Sequence, residues 1–172
     1  MRWLMEGVRN YFFRCVVLFC GLSERLRRFM ESGGLVGEFV ELPPEQARTS
    51  ESAANAVGCE LGQIAKSIVL KGSRTYVVVL AGDRRIDLKK FSKVVGEPVR
   101  LAKPDEVLSE TGYPVGAVPP FGHIRPLKTF IDASLLRHKV VYASGGSDSF
   151  LLKLGVDTLL NHFGDSVVDV SR

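Results

Sequence analysis

The chain has 172 residues, a formal net charge of +4, and hydrophobic and charged fractions of 45% and 24%, ordinary for a soluble globular protein. Its length suits one well-buried domain and is short for two. The charge is uneven: residues 1–28 hold six arginines against Glu6 and Glu24, leaving 17 basic and 17 acidic side chains elsewhere, so the total gives no sign of a basic face.

Cys15, Cys20 and Cys59 are too few and too irregularly spaced for a disulfide framework or a zinc signature, which suits a reducing, intracellular compartment. Tyr11 to Leu22 is strongly apolar, but Arg14 breaks it and the uninterrupted stretch from Cys15 is only eight residues. A membrane-spanning helix needs roughly 20 residues. Glu6, Arg9 and Arg14 also spoil a signal-peptide pattern. Three readings stand: a helix packed on the domain, a peripheral interaction helix, or a start codon assigned too far upstream. The packed extension is preferred. Residues 1–22 are therefore set apart as an extension with no assigned function, and residues 23–172 form the domain.

Ser23 is placed to cap a helix in which Leu22, Leu26, Phe29 and Met30 recur at helical spacing, stopped by Gly33-Gly34. Val36 to Leu42 predicts a strand ended by Pro43-Pro44. Thr49 or Ser50 caps an alanine-rich helix, Glu51 to Val57, that ends at Gly58. Lys66 to Lys71 and Thr75 to Ala81 form a hairpin about Gly72-Ser73-Arg74. Asp87 caps a helix through Val95 that stops at Gly96. Pro98 to Ala102 predicts a strand. Pro104 opens another helix, with Asp105 and Glu106 suiting its dipole, and Gly112 ends it. Three strands follow (Lys128 to Ala133, Lys139 to Ala143, Phe150 to Leu154), then a helix from Val156 to Phe163 and a last strand, Ser166 to Val170. Clustered strands with short helices between them predict an α+β fold with a curled or barrel-like sheet.

Three constellations bear chemistry. Lys66 stands in a strand whose neighbours require burial; an edge lysine reaching water is the plainer reading, and a cation aimed at a phosphate or ribose is the sharper one. Thr111 to His123 packs three glycines and three prolines into thirteen residues, a constrained path that suits the wall of a site as well as a turn. Ser144-Gly145-Gly146-Ser147-Asp148-Ser149 matches the phosphate-binding motif of the ATP pyrophosphatases, in which a strand leads through glycines into a helix N-terminus. Its position argues against that reading, because only 23 residues follow Ser149. His123, His138 and His162 lack zinc-ligand spacing.

Four collinear segments resemble the YbaK / prolyl-tRNA synthetase-associated editing domain. They are Ala47-Arg48-Thr49 with the alanine-rich helix to Gly58; Gly62 to Ser67; Thr111 to His123; and Gly145-Gly146 with the closing Asp165 to Val170. The resemblance implies a mixed, barrel-like β-sheet surrounded by short helices. It implies metal-independent hydrolysis, without a cofactor, of the ester joining an amino acid to a mischarged tRNA 3′ end, including a tRNA(Pro)-type substrate. Lys66 and Gly116 take the family's catalytic positions, Lys66 toward the terminal adenosine and Gly116 positioning the ester. Ser67, Phe121, Gly122, His123, Gly145 and Gly146 take substrate-binding ones. The implied partners are the tRNA and an aminoacyl-tRNA synthetase, in the cytoplasm, with no DNA. Leu151 stands where some members carry an acidic residue. With Ser67, this leaves cysteinyl, alanyl and seryl or threonyl esters all open. The rivals are a non-catalytic tRNA- or synthetase-binding module on the same fold and an ATP-binding enzyme of the pyrophosphatase type.

Overall fold

The computed structural model describes residues 21–172. The expectations for Cys15, Cys20 and the stretch from residue 1 to 20 therefore concern residues outside the described ones. Helix α1 runs over residues 21–33, so Ser23 is inside it and does not cap it; the Ser23 side chain is buried and its Oγ donates to Ser147 Oγ at 3.4 Å. The elements that follow are β1 (Glu38–Glu41), α2 (Pro44–Ala47), α3 (Ser50–Val57), a 3-10 turn (Leu61–Gln63), β2 (Ile64–Lys71) and β3 (Thr75–Ala81). Then come α4 (Leu88–Val95), β4 (Arg100–Leu101), α5 (Pro104–Thr111), β5 (Lys128–Asp132), a second 3-10 turn (Ala133–Arg137), β6 (Val140–Ser147), β7 (Phe150–Gly155), α6 (Val156–Phe163) and β8 (Val167–Val168).

Local chemistry accounts for the helix ends. Thr49 Oγ1 accepts from Ser52 N–H while Ser52 Oγ accepts from Thr49 N–H, a capping box that satisfies two orphan donors of α3. Asp87 caps α4 by accepting from Lys89 and Lys90 N–H, and these bonds hold its carboxyl below the usual range, the Lys90 bond foremost. Gly58, Gly96 and Gly112 end α3, α4 and α5 in the left-handed region.

One mixed sheet of eight strands runs β1-β7-β6-β2-β3-β5-β8, with β4 pairing the far end of β2. Among the described residues it is open at β1 and β8 and is not a closed barrel, which corrects the barrel-like part of the expectation. The α+β class and the short surrounding helices are as expected. β3 lies inside the sheet between β2 and β5 and is buried along its whole length. Its alternate residues feed two cores: Val77, Val79 and Ala81 join Leu26, Tyr113, Phe121, Ile131 and Leu152 on one face. On the other, Tyr76, Val78 and Leu80 meet Phe91 and Phe130, their rings stacked edge-on or tilted. A third cluster, of Leu42, Ala53, Ala54, Ile64 and Leu151, seats α3 on the sheet.

β2 changes partners along its length. Ile64 and Ala65 pair in parallel with Tyr142 and Ala143, whereas Leu70 and Lys71 pair antiparallel with Leu101 and Arg100. Between those ladders, Lys66 to Ile68 has strand β3 on one side and no strand on the other among the described residues. β6 leaves that side through a bulge between Ser144 and Ser147. The glycine string lies inside β6 and turns through Asp148-Ser149 into β7, so it opens no helix. That geometry removes the pyrophosphatase reading, whose anion would need a helix N-terminus there.

Candidate functional site

The gap beside β2 is a cavity of about 280 Å³. Its floor is Ile64 to Ile68, and one wall is the α2–α3 junction with Ala47, Arg48, Thr49 and Ala53. Val115, Gly116 and Val118 form a second wall; Tyr142, Ser144, Ser147, Phe150 and Leu151 of the β6–β7 hairpin form the third. Lys66 and Arg48 are the charged side chains of the lining, which contains no carboxylate. A concavity with two cations and otherwise apolar or hydroxyl groups favours a ligand that is anionic at one end.

Lys66 Nζ donates to the Arg84 carbonyl at 2.7 Å, which anchors the ammonium at the cavity edge and leaves two of its three donors. Burial lowers the Lys66 pKa from the ordinary lysine value; Glu51 and Asp83 oppose that shift and Arg85 adds to it. Ser67 Oγ, next in the strand, is buried in the cavity wall and has no hydrogen-bond partner among the described residues. A buried hydroxyl left unpaired costs about 1–3 kcal/mol, so its placement favours a polar group arriving with the ligand.

Gly116 stands at the third position of a turn closed by Ala117 N–H to Pro114 O at 3.0 Å, with φ +85°. A positive φ at that position is the requirement of a type II turn, and it accounts for glycine here. The turn belongs to a closed loop whose ends meet through Ile124 N–H to Thr111 O at 3.0 Å. Inside it, the fully buried Tyr113 donates its hydroxyl to Gly122 O at 3.1 Å, and a ring nitrogen of His123 lies 2.8 Å from Pro119 O. Helix α1 braces this loop from outside: the Arg25 guanidinium stacks on the Tyr113 ring at 4.4 Å and donates to Gly112 O at 2.9 Å. Arg27 lies over Phe39 and, at 5.9 Å, over the cavity residue Phe150.

The expected site residues thus fall into three groups. Lys66, Ser67 and Gly116 share the cavity. Phe121, Gly122 and His123 line a separate aromatic hollow beside Phe29, His162 and Phe163. Gly145 and Gly146 are buried in the β6 bulge behind the wall: a Cβ on Gly145 would meet the Phe150 backbone at 2.8 Å, and one on Gly146 the Tyr113 ring at 3.0 Å. Arg48, Thr49 and Tyr142 also line the cavity, although sequence reasoning assigns them no site role. The one available signal was the dipeptide Arg48-Thr49 at a helix start.

Residues 44–161 match the family model described as "Aminoacyl-tRNA editing domain". The chain is 37% identical over 108 residues to "Uncharacterized protein YwhH" of Bacillus subtilis, a match covering 62% of this chain and 69% of that protein. It is 28% identical over 120 residues to the "Putative Cys-tRNA(Pro)/Cys-tRNA(Cys) deacylase EbsC" of Enterococcus faecalis, covering 68% and 73% of the two chains. Among solved structures, a "putative trans-editing enzyme for prolyl tRNA synthetase" superposes with a TM-score of 0.81 at 39% identity. That superposition covers 87% of this chain and 96% of the other.

Proposed function

Because the chain belongs to the aminoacyl-tRNA editing domain family, we propose that it is a trans-editing aminoacyl-tRNA deacylase that hydrolyses the ester of a mischarged tRNA, metal-independently, in the cytoplasm where charged tRNA is found. The observation that carries this reading is the meeting of Lys66, Ser67 and Gly116, from segments some 50 residues apart, around one cationic cavity. In this reading the 3′-terminal nucleotide enters the gap beside β2, with its phosphate or ribose on the Lys66 ammonium. Arg48 at the rim adds charge. The rigid turn at Gly116 holds the ester carbonyl against backbone N–H donors.

An aminoacyl ester is already activated, so the protein's task is placement and charge stabilisation. The oxygen of water forms the new bond to the carbonyl carbon. The carbonyl oxygen carries the developing negative charge toward the backbone donors. The bond to the ribose oxygen then breaks, and the proton lost by water ends on that oxygen, with the neighbouring ribose hydroxyl as relay. Ser67 Oγ faces the aminoacyl group and takes part in choosing among small side chains. A tRNA(Pro)-type substrate and a docked synthetase are favoured by the similarity to a putative Cys-tRNA(Pro) deacylase and a putative trans-editing enzyme for prolyl tRNA synthetase.

The test is a panel of mischarged tRNAs incubated with purified protein. Release of amino acid from at least one of them is expected, and Lys66→Ala should lower that rate at least tenfold. No release above buffer from any member would remove the proposal. Tight tRNA binding without turnover, weakened by Lys66→Ala, would favour the non-catalytic module instead.

A further inference from the structure

The loop that walls the cavity continues into two further depressions. Val115, Gly116 and Val118 line the cavity. Phe121 to Leu127 line the aromatic hollow, of about 420 Å³. Arg125 to Lys128 then line a groove of about 530 Å³ with Lys71, Arg74, Thr75 and Glu110. One stretch of chain, residues 115–128, therefore runs past all three.

Within residues 29–172, whose 17 basic and 17 acidic side chains balance, the groove is a local excess of cations. Four cations, Lys71, Arg74, Arg125 and Lys128, border it against the single carboxylate of Glu110. That carboxylate is already shared, lying 3.1 Å from Lys71 Nζ and 3.9 Å from Arg125 Nη1. Arg74 and Lys128 are exposed and make no ion pair among the described residues. The adjoining hollow offers ring faces: Phe29 is partly exposed and His162 exposed, and both pack on Phe121. An excess of cations over carboxylates next to exposed rings is the chemistry of a nucleic-acid track, where phosphates take the charges and a base takes the stack. Lys66 and Lys71 lie five residues apart on β2, about 17 Å along the strand and on opposite faces of it, so the stretch 115–128, not the strand, is what joins the cavity to the groove.

We propose that the groove and the hollow form a second RNA contact, in which backbone phosphates sit among Arg74, Arg125 and Lys128 and a base stacks on His162, with the Phe29 ring standing at 83° to it. This rests on the deacylase reading only for the identity of the RNA. The contact accounts for tRNA affinity, while the cavity handles the terminal ester.

The experiment measures binding of uncharged full-length tRNA by fluorescence anisotropy at salt concentrations between about 50 and 200 mM. The triple variant Arg74→Gln, Arg125→Gln, Lys128→Gln should bind at least tenfold more weakly at the low-salt end. Its slope of log affinity against log salt should be shallower by about 2 to 3, and that of Lys128→Gln alone by about 1. His162→Ala should weaken binding about fivefold with the slope unchanged. Amino-acid release from a short 3′-terminal aminoacyl oligonucleotide should be unaltered in every variant. An unchanged tRNA isotherm and slope in the triple variant would overturn the proposal, as would loss of synthetase co-elution with RNA binding intact. Equal losses on tRNA and on the short oligonucleotide would also overturn it. Uncharged tRNA needs no hydrolysis, so failure of the deacylation panel leaves this result readable.

Discussion

At Gly116 the backbone demand and the space around it separate cleanly. A Cβ there would meet nothing within 4 Å, yet φ is +85°. Gly116→Ala therefore introduces strain and no clash, and should lower unfolding free energy by about 1–2 kcal/mol in urea titration. If the turn holds the ester carbonyl, turnover of the tRNA substrate should fall at least tenfold in a protein that is still folded. A variant with wild-type turnover would remove Gly116 from the site. Lys66 and Gly116 were legible as single residues because each sits in a recognisable segment. Tyr142 was not: it reaches the cavity through the pairing of β6 with β2, which no local pattern encodes, while Arg48 sits in a recognisable segment whose junction with the cavity only the packed helices reveal.

Elements with chemical end-signals read closely from sequence. The α4 cap at Asp87 and stop at Gly96, and the α3 box at Thr49 with its stop at Gly58, fall at the expected residues because caps are settled within one turn. Strands fared worse where pairing decides: the expected Pro98 to Ala102 and Ser166 to Val170 contract to two residues each, since β4 and β8 touch only the ends of their partners. Helix α5 has a further device at its start. Arg100 donates to both Glu106 oxygens at 2.7 Å and Lys103 N–H donates to one of them, which pulls the Glu106 pKa down to about 2, the Arg100 bonds foremost. A lowered carboxylate pKa adds stability that is fully present above about 4.5 and fades as pH falls toward about 2. In thermal melts across that window, Glu106→Gln should lose less stability with acidification than the wild type. Parallel curves would show that the bridge is inert.

Across the whole molecule, the site is built from parts that the family match only partly spans. Residues 44–161 carry the match, but α1 precedes them and holds the site loop through Arg25. Arg25→Ala should speed amide hydrogen exchange across Thr111 to His123 and slow deacylation, with exchange in β3 unchanged. Uniform exchange change throughout the chain would instead mark a general loss of stability. The sequence held four collinear segments and the α+β class, whereas the strand order and the turning of Phe121 to His123 away from the cavity depend on contacts distant in the chain.

The open flank of β2 has its own consequence. Where a strand lacks a neighbour, its peptide groups are offered to whatever enters, and peptide groups are the same whichever side chains the strand carries. In the deacylase reading, a guest lodged there would be held partly by the backbone itself, whichever side chains surround it. Exchanging the surrounding residues would then retune which guest is welcome without dismantling the grip itself. Such a scaffold can change its preferred cargo over a few substitutions while its architecture stays put.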